Sequence, residues 1–356
     1  MTLHTAERIQ RAQELIHTVF GDKRNLAGEY PLVFDPSFSG SLVGLEVEED
    51  VVSACAVLPR DLVLNGWLLR VGLIGSVCTA EDQRGKGYAT QMLRRAEDQL
   101  FCEGAVVSML WADEAEFYER MGYVPVGSEV DYHLPLELAE KLPDPEGVRW
   151  MRASDHAAVH ALYVRHSHRI DRNLAETSAL LFGPDIQALV LEREGEVQGY
   201  VLLGRGNDLQ GVVHEWGGST EAVLTCLSAL LRNLPAECPG VYLMCPATAV
   251  DMRRSLLEMN VLAIEGVLGM AKVLDMAAVA KVFTRFGDRR LKVSVGKDVI
   301  YLSGPRGTAA LDAKKTMLAI MPPQGNRGVV DAIEEEIGLS FDALPLYPFA
   351  WGLDSI

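Results

Sequence analysis

The chain has 356 residues, 49% hydrophobic and 23% charged, with a formal net charge of −16 and a pI near 5.0. That length exceeds what one core supports and suits two or three domains, and the charged fraction is too ordinary to imply disorder. The acidic balance argues against nonspecific nucleic-acid binding and against docking on anionic membranes, while suiting cationic substrates.

The N-terminal stretch Met1-Thr2-Leu3-His4-Thr5-Ala6-Glu7-Arg8 has no signal-peptide core, and no apolar run is long enough for a bilayer span. The six cysteines (Cys55, Cys78, Cys102, Cys226, Cys238, Cys245) are scattered and form no CxxC pair. Reduced thiols in a cytoplasmic protein are therefore expected. His160, His166 and His168 are spaced too loosely for a metal set, so no metal is expected.

Ile9, Ala12, Leu15, Ile16 and Phe20 share one face, which predicts a helix over 7–20, ended by Gly21 and Asp22. Strand-like segments follow at Leu42–Val47 and Val51–Leu58, joined through Glu48-Glu49-Asp50. Asn65-Gly66, set between apolar runs, is a hairpin signal. Leu68 to Val77 reads as a strand, and Ala89, Met92, Leu93, Ala96 and Leu100 recur at helical spacing. The turn between them holds Arg84, Gly85, Lys86 and Gly87. Glycines there let backbone approach a ligand closely, and the first amides of a helix lack partners and favour anions. The physical reading is a pyrophosphate cradle, with charge added by Arg84 and Lys86.

Arg84-x-x-Gly87-x-Ala89 resembles the acyl-CoA-binding motif of the Gcn5-related N-acetyltransferases (GNAT). So does Phe117-Tyr118-Glu119-Arg120-Met121-Gly122-Tyr123, which follows a second apolar run from Ala105 to Trp111. The resemblance covers roughly residues 1–140. It implies that the backbone of Val77, Cys78 and Thr79 pairs with the pantetheine arm of acetyl-CoA. The turn amides of Arg84, Gly85, Lys86, Gly87, Tyr88, Ala89 and Thr90 would hold the pyrophosphate. Tyr118 would protonate the leaving thiolate, a role open to a phenol protonated at neutral pH. Tyr123 is read as structural.

Beyond the Pro- and Gly-punctuated stretch from Glu137 to Gly147, a helix capped by Ser154 is expected, then hairpin strands Ala188–Glu192 and Gln198–Gly204. Val212–Trp216, Glu221–Leu234 and Val241–Cys245 repeat strand, helix, strand, with Gly217-Gly218-Ser219 where the cradle would stand. A second, degenerate acetyltransferase-like domain without a coenzyme site is expected.

From Gly269 on, the stretch Met270-Ala271-Lys272-Val273-Leu274-Asp275 leads into a helix and a small sheet. This resembles the sterol-carrier-like third domain of the enhanced-intracellular-survival (Eis-like) family. The expected fold is thus mixed α+β, in three parts: a catalytic GNAT domain at 1–147, a degenerate one at 148–269, and a sterol-carrier-like domain at 270–356.

The C-terminal run Leu344-Pro345-Leu346-Tyr347-Pro348-Phe349-Ala350-Trp351-Gly352-Leu353-Asp354-Ser355-Ile356 is too apolar to hang in water, so it should dock on the body. The resemblance implies that the terminal carboxylate, here that of Ile356, enters the first domain's active site as general base. Asp354 is the competing carboxylate. It further implies an acetyl-CoA-dependent transferase acting on an amine of a polyamine, an aminoglycoside-like cation or a lysine side chain, assembled as a homo-oligomer, with a hexamer as first expectation. The alternative class is a non-catalytic acyl-CoA or lipid-binding protein.

Overall fold

The computed structural model describes residues 6–21 and 25–356. Asp22 and the stretch Met1 to Thr5 lie outside the described residues. The first helix runs Ala6–Phe20 and stops where Gly21 turns to φ 109°.

Asn65 and Gly66 both take positive φ, 50° and 81°, the two-residue turn that matches strand twist. It joins Asp50–Leu64 to Trp67–Thr79 as one long hairpin, where the sequence suggests shorter, broken strands. Ser41–Val47 pairs with the hairpin's first strand across a second tight turn at Glu48-Glu49. Helix Tyr88–Cys102 lays Met92, Leu93, Ala96 and Leu100 on one sheet face, against Cys55, Val57, Ile74 and Leu110. A Cβ on Gly72 would strike Leu100, so the glycine sets how closely helix and sheet approach. Val107–Leu110 then returns parallel to the strand Trp67–Thr79.

The second sheet repeats this plan. Gln187–Arg193 and Glu196–Leu203 form an antiparallel pair, Val212–Gly218 joins them, helix Thr220–Asn233 follows, and Val241–Pro246 returns parallel. The two sheets exchange strands reciprocally. Glu129–Leu134, which follows the first plan in sequence, lies between Val241–Pro246 and Leu262–Gly266 in the second sheet. Gly269–Val273, which follows the second plan, lies between Val107–Leu110 and Val124–Val126 in the first. His168–Ile170 also pairs with Asp50–Leu64, so the two halves are tied at three seams. The mixed α+β class expected from sequence is the one observed.

Two local expectations differ. Ser154 does not cap a helix; it lies inside a short 3-10 turn, Ala153–Asp155, where Asp155 accepts from the Arg152 amide at 2.7 Å, and helix His156–Tyr163 follows with no side-chain cap. The helix expected over Leu311–Ile320 begins later, because Leu311 ends Thr308–Leu311, the third strand of a small antiparallel sheet with Lys292–Val295 and Ile300–Ser303. Asp312 caps the helix that follows, Ala313–Ile320. Helices Met276–Phe286 and Gly328–Ile337 complete this last unit.

Candidate active site

Trp67–Thr79 runs beside Val107–Leu110 only from Val71 to Ile74. On its other edge its register against Asp50–Leu64 slips between Ala54, which faces Cys78, and Ala56, which faces Gly75. The extra residue is taken up by a bulge in which Ser76 has φ 49°. The bulge turns the strand away, and among the described residues no strand pairs with Gly75–Thr79 on the side facing Val107–Leu110. That leaves a row of backbone amides and carbonyls facing a gap, a template for an extended amide-bearing chain. Cys78 contributes backbone only. Its thiol is buried against the Ala54 carbonyl and is pushed up to about 12 by burial. Ser53 Oγ donates to the Cys78 carbonyl at 2.7 Å and lies 3.0 Å from Thr79 Oγ1, holding this end of the strand in place.

The strand leads through Ala80 and a short 3-10 turn, Glu81–Gln83, into the Gly-rich turn. Gly85 and Gly87 both have left-handed backbone, φ 76° and 78°, and a Cβ on either would meet open space. Conformation, not crowding, requires glycine here. Gly87 is the N-cap of Tyr88–Cys102 and supplies no side chain to cap it. The first-turn amides, those of Tyr88, Ala89 and Thr90, thus lack a capping side chain, at the positive end of a 15-residue helix. Arg84, Gly85, Lys86 and Gly87 are exposed around them. Arg84 Nε bonds to the Thr79 carbonyl at 3.4 Å, and Lys86 Nζ to Gln83 Oε1 at 2.8 Å, so both cations flank the turn.

Tyr118 sits on the short helix Ala115–Arg120, half-buried, edge-on to Phe117 and Tyr123. Burial first, and the nearby Cys55, Glu114 and Asp113 next, push its hydroxyl up to about 12. It is protonated at neutral pH. Tyr123 is fully buried and accepts a hydrogen bond from Ser108 Oγ at 2.9 Å, a packing position.

The C-terminal run is buried almost throughout. Trp351 packs against His166, Trp216 and Phe349, and Gly352 lies on the ring of His214, where any side chain would collide. Asp354 accepts from Tyr163 Oη at 2.7 Å and lies 3.4 Å from Arg172, which also grips Glu215 with two 2.7 Å bonds. Burial pushes the Asp354 carboxyl up against the pull of Arg172. The chain then ends with Ile356 against Gly75, at the point where the cradle strand parts from its neighbour. Tyr118 packs on the sheet face that carries Tyr88–Cys102, with Cys55 and Ile74; Ile356 packs on the opposite face.

Val77, Cys78 and Thr79 thus lie on a strand end unpaired on one side, the 84–90 turn follows it into the helix start, and Tyr118 and Ile356 pack on opposite faces of the sheet. Sequence reasoning passed over Gly75, Arg172, Arg205 and Glu215. A charged residue inside an otherwise apolar strand, as Glu215 is beside Trp216, was the one visible signal. His160, His166 and His168 bond separately to Thr177, Trp216 and Ser167. Among the described residues no group of three or more His, Cys, Asp or Glu could hold a metal, and no helix is long and apolar enough to cross a membrane.

Residues 2–126 match the profile of the acetyltransferase (GNAT) domain. No curated protein matches significantly. Among solved structures, a GCN5-related N-acetyltransferase from Anabaena variabilis is similar with a TM-score of 0.69 and 15% identity, over 100% of this chain and 99% of that one. Eis1 from Mycobacterium abscessus is similar with a TM-score of 0.61 and 15% identity, over 98% of each chain. A GCN5-related N-acetyltransferase from Kribbella flavida is similar with a TM-score of 0.60 and 16% identity, over 87% of this chain and 83% of that one. At these identities the likeness establishes the fold.

Proposed function

We propose that this protein is an acetyl-CoA-dependent N-acetyltransferase that passes the acetyl group directly to a primary amine. The observation that carries this reading is the opening beside Gly75–Thr79, which runs without interruption into uncapped helix amides at Gly87–Thr90. An amide-rich arm with a diphosphate at its far end fits such a groove: the arm pairs with strand backbone and the diphosphate meets the helix start.

In this reading the thioester lies in the gap past Ile74, open to both sheet faces. The neutral amine attacks the thioester carbonyl carbon, forming the C–N bond. The Ile356 carboxylate, on one face, takes the amine proton. The C–S bond then breaks and Tyr118, on the other face, gives its proton to the departing sulfur. The proton on the carboxyl and the vacancy on Tyr118 are restored through solvent before the next turnover. Holding these groups in one geometry supplies part of the rate. Asp354 is engaged by Tyr163 and Arg172, which suits an anchor better than a base. The last unit, read as sterol-carrier-like, is the stem from which the tail reaches the site. The acidic chain favours a cationic acceptor, such as a polyamine, an aminoglycoside-like cation or a lysine side chain.

The test is thiol release from acetyl-CoA with spermidine, kanamycin and a lysine-bearing peptide as acceptors, with acetylated product identified by mass. Release that depends on the amine supports the reading. Thermal protection by acetyl-CoA with no release for any amine in a broad panel replaces it with a non-catalytic acyl-CoA carrier.

A further inference from the structure

Arg205 follows strand Glu196–Leu203 and stands between two glycines with left-handed backbone, Gly204 at φ 77° and Gly206 at φ 48°. This turn folds the arginine inward, where it is 1% exposed. Its guanidinium stacks over the Tyr30 ring, 4.6 Å from the centroid. Among the described residues it forms no ion pair. All its side-chain hydrogen bonds go to the tail: Nη1 to the carbonyls of Leu353 at 3.4 Å and Ser355 at 3.3 Å, and Nη2 to Ser355 Oγ at 2.8 Å. Arg172 is different, because it also pairs with Glu215, a residue outside the tail, through two bonds from Nη2.

A buried cation is costly unless paired or well bonded, and an apolar side chain of similar size would fill the same space without that cost. Beyond its stack on Tyr30, what Arg205 holds through hydrogen bonds is the chain up to one residue before Ile356. It acts from the second sheet, the repeat that has no cradle: there Ser219 caps the helix from its own side chain, bonding the Ala222 amide, where Gly87 leaves its helix uncapped.

We propose that Arg205 is a positioning residue that fixes the terminal carboxylate of Ile356 at Gly75, so that the repeat without a cradle serves the other repeat's reaction by gripping the tail. This rests on the reading of that carboxylate as the base.

The test uses the full-length chain and its Arg205→Met and Arg205→Lys variants. One readout needs no substrate: release of C-terminal residues by a carboxypeptidase under native conditions. Arg205→Met should release Ile356 at least ~10-fold faster than wild type. The other readout is acetyl-CoA turnover with spermidine, kanamycin and the lysine peptide run in parallel. There kcat should fall at least ~10-fold while KM for acetyl-CoA stays within ~2-fold, and Arg205→Lys should recover part of the loss. A simple loss of folding would move both constants together with the melting temperature. If Arg205→Met does not fold, Ser355→Ala, which removes one acceptor, should still raise tail release; unchanged release there overturns the proposal. A chain lacking Ile356 separates the two ideas. Wild-type turnover in that chain overturns the base reading and the proposal with it. Lost turnover in that chain, combined with wild-type release and turnover in Arg205→Met, overturns the role of Arg205 alone.

Discussion

No Cβ fits between Gly75 and Ile356: one built on the glycine would overlap the main-chain carboxyl carbon and oxygen of the terminal residue. The obstacle is backbone rather than the far end of a flexible side chain, so the tail must move if position 75 is enlarged. Gly75→Ala is therefore a displacement of the terminus made from the opposite side of the contact. Turnover should fall roughly 10- to 100-fold, the scale of a misplacement of about an ångström, while acetyl-CoA still protects against heating. Turnover at the wild-type rate would mean that the terminus need not sit there.

Gly87 has left-handed backbone beside the uncapped helix amides. Gly87→Glu adds strain and a negative charge where the diphosphate is expected. Wild type should gain about 2.7 kcal/mol at acetyl-CoA concentrations near a hundred times Kd, seen as a raised Tm, and the variant should gain little. A wild type that shows no shift at saturating acetyl-CoA would refute the groove as a coenzyme site.

Amidating the C-terminus, or extending it past Ile356, removes or displaces the terminal charge and keeps Asp354. Loss of a general base costs about 10²–10⁴ in rate. Tyr118→Phe should lower kcat in the same manner, and the double change should cost less than the product of the single ones if both groups serve one transition state. An extended chain that acetylates normally would direct attention to Asp354→Asn.

Two histidines touch the tail, His214 buried and His166 half-buried, and desolvation lowers both: His166 to about 4 and His214 to about 3. In the unfolded chain they titrate near ~6.5, so between that value and the folded ones the unfolded state binds more protons. Stability that is fully present above about pH 6.5 should fall as the solution is acidified, by on the order of a few kcal/mol. Calorimetry from pH 8 to 4 measures this, and His214→Gln should flatten the slope. Tyr118 has the opposite sign: with its hydroxyl near 12, it should impose no alkaline loss of kcat up to about pH 10.

We expect a homo-oligomer in solution, with the hexamer as first expectation. Leu262–Gly266 is an edge strand of the second sheet, and Leu257, Leu262 and Ile264 are 71%, 66% and 49% exposed there. An apolar edge of this kind invites a partner. Sedimentation at micromolar concentration measures the mass, and a monomer would refute the expectation.

Local chemistry was legible in the sequence because it needs few residues. Asn65-Gly66 announces a two-residue turn through its own backbone preference. Gly85 and Gly87 announce a helix start that cannot be capped by a side chain. The apolar periodicity of Met92, Leu93, Ala96 and Leu100 announces the helix behind them. The apolar tail announced its own burial, because water would not tolerate Phe349, Trp351 and Leu353. The resemblance pointed the tail at the first domain, but the side chains that hold it were not legible, nor was the reciprocal exchange of Glu129–Leu134 and Gly269–Val273, since strand partners far apart in sequence leave no local trace. The register slip at Ser76, the grip of Arg205 on residues 353–355, and above all the meeting of Gly75 with Ile356 join segments that are not neighbours in sequence. Only the packing of the sheets and the tail brings them together, and that packing puts Ile356 rather than Asp354 against Gly75.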